Sequence, residues 1–118
     1  MQTPKEPLNF NISRDRLASL QPRFRLSLLN FLIRWKRYEE ALPIAEYLAA
    51  NQPDGLLYRS SLAKILAALG RYEEASAIIT ELDYNYPNKP NTLAAAGDVE
   101  MARDDLPAAL KRYLEILK

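Results

Sequence analysis

The chain contains no cysteine and no histidine among its 118 residues. Without cysteine it has no disulfide, no thiolate nucleophile and no cysteine-based zinc site. Without histidine it lacks the most common general base near neutral pH and the most common metal ligand. Only three glycines are present, and they do not form a phosphate-binding loop. This composition predicts a protein that is not an enzyme and carries no metal or cofactor.

Long apolar runs are also missing. No stretch of about 18 apolar residues occurs, so a membrane-spanning helix is not expected. Residues 1–20 contain no apolar core of a secretion signal, which predicts a cytoplasmic protein. Apolar residues nevertheless make up 48% of the chain, enough for one folded domain of this length.

Charge is distributed unevenly, although the net charge is only +1. Residues 1–37 hold eight Lys or Arg against two acids, and residues 38–118 hold eight against thirteen. From residue 14 onward the early basic side chains are Arg14, Arg16, Arg23, Arg25, Arg34, Lys36 and Arg37. They form either a solvated rim or a contact for an anionic partner. Helical spacing scatters them and no nucleic-acid motif accompanies them, so nucleic acid is not the expected ligand.

One recurring spacing organises most of the chain. The segment Arg37–Ala41, of sequence RYEEA, returns as Arg71–Ala75, and Pro53 is followed by Pro87 at the same distance. One further step leads to Asp105–Ala109, which retains an apolar second residue and the final alanine. The spacing is about 34 residues, and self-similarity at such a period is typical of stacked helical repeats. We call this spacing the repeat period.

Each period divides into two predicted helices. Apolar residues recur at three- and four-residue steps over residues 56–69 and again over residues 72–82. Gly70 separates the two helices, and Pro87 ends the unit because proline cannot continue a helix. Acidic pairs begin the second helix of each unit, where the helix dipole favours negative charge, and they are Glu39-Glu40, Glu73-Glu74 and Asp104-Asp105.

These features resemble the tetratricopeptide repeat family over residues 22–118. The family's small residues at helix crossings, its unit-ending proline and its usual aromatic residue match Ala63, Ala75, Pro87, Gly97, Ala109 and Tyr113. The first unit departs from the pattern at Leu29, Ala45 and Pro43. The resemblance implies an all-α fold, in which antiparallel helix pairs at about 22–55, 56–89 and 90–118 stack as a right-handed α-solenoid.

Residues 1–21 precede the repeats and are predicted to be an N-terminal tail. Residues 1–12 are rich in Pro, Asn and Lys, although alternating Leu8, Phe10 and Ile12 leave an extended strand open. A short helix at 13–20, capped by Ser13 and with Leu17 and Leu20 facing inward, is the alternative to a tail that continues to residue 21.

The resemblance also implies a concave groove lined by the first helix of each unit. The positions carried across from the family are Arg23, Leu26, Asn30, Ile33, Arg34, Leu57, Ser60, Ser61, Lys64, Ala67, Asn91, Ala94, Ala95, Asp98 and Met101. One family subclass grips a partner's terminal carboxylate with Lys, Asn and Arg, but most of those positions differ here, so that clamp is absent. The small and mildly apolar lining predicts an amphipathic helix or apolar peptide as ligand. The alternative is that small residues there serve only close helix packing.

A second interface is predicted outside the groove. The helix at 23–36 is apolar on more than one face, which makes Phe31 and Trp35 candidates for contact. Leu114 is the third candidate, because no polar capping helix is expected after it. These residues suggest a possible homo-oligomer.

The function predicted from the sequence is non-catalytic binding of a partner protein. In size and layout the chain is similar to the small chaperones of bacterial type III secretion, which hold an apolar helix of an export substrate. The alternative is a structural scaffold that oligomerises within a larger assembly.

Overall fold

The computed structural model describes residues 14–51 and 55–118, and these residues form seven α-helices. Their bounds are α1 Arg14–Ser19, α2 Pro22–Arg34, α3 Tyr38–Asn51, α4 Gly55–Ala68, α5 Tyr72–Asn85, α6 Pro90–Ala102 and α7 Leu106–Ile116. The predicted all-α fold is confirmed, with α2–α3, α4–α5 and α6–α7 as the three helix pairs. The predictions for residues 1–12, Ser13 and Pro53 lie outside the described residues.

The helix pairs stack on one another as an α-solenoid. α4 packs against α3 and α5, and it also contacts α2 and α6, so the first helices of the three units lie side by side. Ala41, Ala63 and Ala75 are fully buried. Side chains of this size let neighbouring helices approach closely while larger residues fill the space around them.

The repeat period is visible in the backbone of the turn inside each unit. Lys36, Gly70 and Asp104 have φ angles of 59°, 82° and 64°, in the left-handed region. The N–H of the following residue then donates to a carbonyl five positions back, at 2.7, 2.9 and 2.8 Å in the three units. This is the Schellman arrangement that ends a helix. Only the glycine was recognisable in the sequence, since Lys and Asp adopt this conformation less readily.

α1 is tied to the repeats by a buried arginine. Leu17 belongs to the hydrophobic core, and Leu20 packs against it, so the predicted short helix forms with both leucines inward. The Arg25 guanidinium donates to the carbonyl of Ala18 at 3.1 Å and of Leu20 at 2.6 Å, and to the hydroxyl of Tyr58 on α4 at 3.3 Å. One side chain therefore fixes α1, α2 and α4 relative to each other.

The acidic pairs stand at the helix starts, as predicted. In two units one carboxylate also pairs with an arginine three residues earlier, Arg37 with Glu40 at 2.6 Å and Arg71 with Glu74 at 2.7 Å. In the third unit the Asp105 carboxylate accepts the Ala108 N–H at 3.3 Å and caps α7. Within the described ranges, no helix is both long enough and apolar enough to cross a bilayer.

Candidate protein-interaction surface

The first helices of the three units each present one accessible stripe. On α4 the stripe follows Leu57, Ser61 and Lys64, which are exposed or half-buried. On α6 the accessible residues among those predicted for the groove are Asn91, Ala94, Asp98 and Met101, and on α2 they are Arg23, Asn30 and Arg34. Because α4 contacts both α2 and α6, the three stripes lie on neighbouring helices. We call these three stripes together the groove.

Three residues predicted to line the groove are buried instead. Ser60 and Ala67 on α4 are 5% and 4% exposed, and Ala95 on α6 is fully buried. α4 lies between α2 and α6, and these neighbours cover the sides of the helix. The burial removes all three residues from the surface that a partner could reach. Leu26 and Ile33 on α2 are half-buried and pack against the core, so little of either side chain is accessible to a partner.

A network of side chains crosses the groove between α4 and α6. Lys64 Nζ lies 3.7 Å from Asp98 Oδ2, and the Tyr113 hydroxyl donates to Asp98 Oδ1 at 2.5 Å. Burial, together with the hydrogen bond to this carboxylate, raises the pKa of Tyr113 to about 12, so the hydroxyl keeps its proton to a higher pH than an ordinary tyrosine does. The sequence indicated Lys64 and Asp98 as separate polar contacts. In the fold they form a pair that a third residue, on α7, holds in place.

Tyr113 can reach this position because the facing residue has no side chain. A Cβ at Gly97 would lie 2.7 Å from the Cε1 and Cζ atoms of the Tyr113 ring. The predicted helix crossing at Gly97 is thus a direct contact between the α6 backbone and an aromatic ring of α7. The same contact supports one wall of the groove.

The α2 side of the groove is cationic and polar. Arg23, Asn30 and Arg34 are exposed, and the Arg23 guanidinium lies over the Phe24 ring, 4.8 Å from its centroid. Sequence reasoning missed Ser27, which is exposed on the same stripe. The signal was available, since Ser27 lies one repeat period before Ser61.

The basic residues between positions 16 and 37 do not all belong to one surface patch. Arg25 and Arg37 are 5% and 7% exposed, and their guanidinium groups are used in contacts with carbonyls, a hydroxyl and a carboxylate inside the fold. Arg16, Arg23, Arg34 and Lys36 are the exposed members. The division agrees with the helical scatter inferred from their spacing.

The candidates for a second interface differ in exposure. Phe31 and Leu114 are 48% and 51% exposed, whereas Trp35 is half-buried. The most exposed apolar side chains of α2 are therefore Phe24 and Phe31. Three further leucines share the outer face with Leu114, namely Leu106 and Leu110 on α7 and Leu117 directly after it.

A separate cleft of about 450 Å³ lies between α5, α6 and α7. Ser76, Thr80 and Asp83 of α5 line it together with Arg112 of α7. Arg112 donates to both carboxylate oxygens of Asp83, at 2.9 and 3.0 Å, and to Glu100 at 3.3 Å. This ion pair joins the second unit to the third, and no feature of the sequence predicted it.

Comparison with protein-family models matches residues 32–97, more than half of the chain, to the tetratricopeptide repeat. No curated protein and no solved structure matched in the corresponding comparisons. The family is a protein-interaction module, and the matched range covers the α3, α4 and α5 helices together with most of α6. With its repeat period, its three helix pairs and this match, the chain belongs to the tetratricopeptide repeat family.

Proposed function

We propose that the groove holds a segment of one partner protein, and that the chain is a non-catalytic binding module of the chaperone or adaptor kind. The observation that supports this proposal is that α2, α4 and α6 lie side by side and each carry accessible residues at the predicted groove positions. It combines small residues, which leave room for a ligand, with polar and charged residues that can orient it. The helices that form it are already packed, so little ordering would accompany binding.

The side chains of the groove favour a particular kind of ligand. Leu57, Ala94 and Met101 offer apolar contacts on α4 and α6, while Arg23 and Arg34 offer positive charge on α2. A matching segment would carry an apolar stripe and, toward one end, acidic residues. An amphipathic helix meets both requirements, and so does an extended peptide with alternating apolar side chains.

The test compares two alanine-to-glutamate variants with ligands selected from a library of helical and extended peptides. Ala94→Glu places a charge in the groove, where Ala94 is half-buried. The matched control, Ala77→Glu, places the same charge on the exposed side of α5, away from the groove. We expect Ala94→Glu to weaken binding of the selected peptides about 100-fold, equivalent to about 3 kcal/mol, and Ala77→Glu to leave it unchanged.

The arginines provide a second arm of the same test. Arg23→Gln should reduce the association rate and its salt dependence, with a smaller effect on the dissociation rate. Peptides that bind wild type and Ala94→Glu equally, in variants with intact circular dichroism, would place the site elsewhere.

A further inference from the structure

The outer face of α2 is exposed at positions that are buried in the other units. Phe24, Leu28 and Phe31 stand one repeat period before Tyr58, Leu62 and Ile65 of α4. These α4 residues are 1%, 8% and 0% exposed, whereas Phe24 and Phe31 are both 48% exposed and Leu28 is half-buried against the core. The next step, to Thr92, Ala96 and Val99 of α6, is again buried. On α4 this face meets the preceding unit, where the Tyr58 hydroxyl accepts a hydrogen bond from Arg25 of α2. Among the described residues, Phe24 and Phe31 of α2 remain about half exposed on the equivalent face.

The outer face of α7 is also exposed, and it lies on the third unit, whereas the α2 face lies on the first. Leu110, Leu114 and Leu117 stand one repeat period after Ser76, Thr80 and Asp83 of α5, which face the third unit across the cleft. The three leucines are 57%, 51% and 80% exposed. α5 faces the third unit with Ser76, Thr80 and Asp83. At the equivalent positions the chain has three leucines, so the outer face of α7 is more apolar than that of α5.

From these two faces we propose that a second copy of this chain stacks head to tail, with α2 of one copy packed on α7 of the other. Each face is one half of the junction that already joins the units within the chain. The contact would continue the stacking of units across two molecules. The groove would remain open and would run from one copy into the next.

Charge complementarity supports a second copy as the occupant. In such a stack the turn after α2 of one copy follows the turn after α6 of the other, just as the turns follow one another inside the chain. Arg34 and Lys36 are exposed at the first turn; at the second, Asp104 and Asp105 are exposed beside one cation, Arg103, which donates to the Ser76 hydroxyl. A basic turn would thus lie beside an acidic one, which favours head-to-tail contact over contact between two identical faces.

A head-to-tail contact joins two different surfaces and leaves one copy of each surface free at the ends. Association of this type grows step by step unless the stack closes into a ring. An isologous dimer, in contrast, would pair α7 with α7 or α2 with α2 and stop at two chains. The two modes respond differently to a change on one face.

The experiment uses Phe31→Glu, which blocks the α2 face, and Leu114→Glu, which blocks the α7 face. Both residues are about half exposed, so the fold should persist, and circular dichroism checks this. Tyr84→Glu, at a residue that is 87% exposed on α5, is the control for added charge. Should either variant unfold, Phe24→Glu and Leu110→Glu test the same faces.

Sedimentation velocity then separates the possible outcomes. We expect the mass of wild type and of Tyr84→Glu to increase with concentration, and each blocked variant alone to stay at the chain mass of 13.5 kDa. An equimolar mixture of Phe31→Glu and Leu114→Glu should form a dimer that does not grow, because one intact face of each kind remains.

Three results would overturn the proposal. One is a wild type that stays monomeric up to about 1 mM. Another is a dimer that survives one blocking change and is lost with the other, which indicates isologous pairing. The last is association that appears only after deletion of residues 1–13, because another part of the same chain would then occupy the face.

Discussion

At the scale of single residues, Gly97 and Tyr113 depend on each other. The ring occupies the space that any larger residue at position 97 would need, and its hydroxyl is held by Asp98. Helix propensity alone would favour alanine over glycine inside α6 by about 1 kcal/mol. Packing opposes this preference, and the two effects can be separated by experiment.

We expect Gly97→Ala to destabilise the protein, because overpacking of about 1–3 kcal/mol exceeds the gain in helix propensity. Chemical denaturation measures the change in the free energy of unfolding. Gly55→Ala is the control, since a Cβ at that position meets no atom within 4 Å. In a Tyr113→Ala background the sign should reverse. A stabilising Gly97→Ala in the wild-type background would show that the ring moves aside without cost.

The raised pKa of Tyr113 predicts a loss of stability at alkaline pH. In the unfolded chain tyrosine titrates near its ordinary pKa of 10.0, whereas in the fold the value is about 12. Between these values the unfolded state has lost the proton and the folded state has kept it, so the free energy of unfolding falls as pH rises. Tyr113→Phe should lack this contribution. Parallel alkaline unfolding curves for the two proteins would contradict the assignment, since the remaining tyrosines are common to both.

The sequence did not predict which side chains form hydrogen bonds or ion pairs with one another. Lys64 and Asp98 were identified by their repeat positions, but the third member of their network reaches them only because Gly97 leaves room for its ring. Arg25 was grouped with surface arginines, although it is buried beneath α1. Helical periodicity predicts the side of the helix on which a side chain lies. It does not predict which acceptor on another helix that side chain reaches.

At the scale of elements, the turn inside each unit has the same left-handed geometry with three different residues. Gly70 adopts it without strain, Asp104 tolerates it, and Lys36 carries the largest steric penalty. The backbone hydrogen bonds of the turn are similarly short in all three units, so the repeat enforces the geometry regardless of the residue. This is why the sequence period located the turns, and residue type identified only one of them.

Lys36→Gly should stabilise the first unit. Relief of about 1–2 kcal/mol of left-handed strain is partly offset by the larger backbone entropy of glycine in the unfolded chain, which leaves a gain of about 0.5–1 kcal/mol. Thermal unfolding of Lys36→Gly measures this gain in stability. Lys36→Ala is the matched control, because it removes the charge and keeps a Cβ. Gly70→Ala should lower stability by a similar amount. An equal effect of Gly and Ala at position 36 would refute the strain argument.

At the scale of the whole molecule, the stability of the stack depends on how strongly the units are joined. The Asp83–Arg112 pair crosses the cleft between the second and third units, in addition to the apolar contacts beneath it. In a linear array, weakening one junction releases the unit beyond it without unfolding the rest. The repeat count and the order of the helices followed from the sequence period, whereas the Asp83–Arg112 ion pair joins side chains that the period does not relate.

Arg112→Met removes the ion pair with Asp83 and keeps most of the aliphatic part of the side chain. We expect amide hydrogen exchange in α7 to accelerate about fivefold, equivalent to about 1 kcal/mol, while exchange in α4 stays unchanged. Lys118→Met is the control, because Lys118 pairs only locally with Glu115 in the same segment. Equal acceleration in α4 and α7 would mean that the array unfolds as one unit.

The recurrence of the left-handed turn once in every repeat period also bears on how a gene of this kind changes in length during evolution. A duplication that spans one whole period adds one unit and leaves every turn in place. A duplication that is one codon longer or shorter would carry the turn with it but would change the number of residues between two successive turns, and the intervening helices or loop would have to absorb the difference. Duplications of whole periods are therefore the ones that leave the helix lengths unchanged.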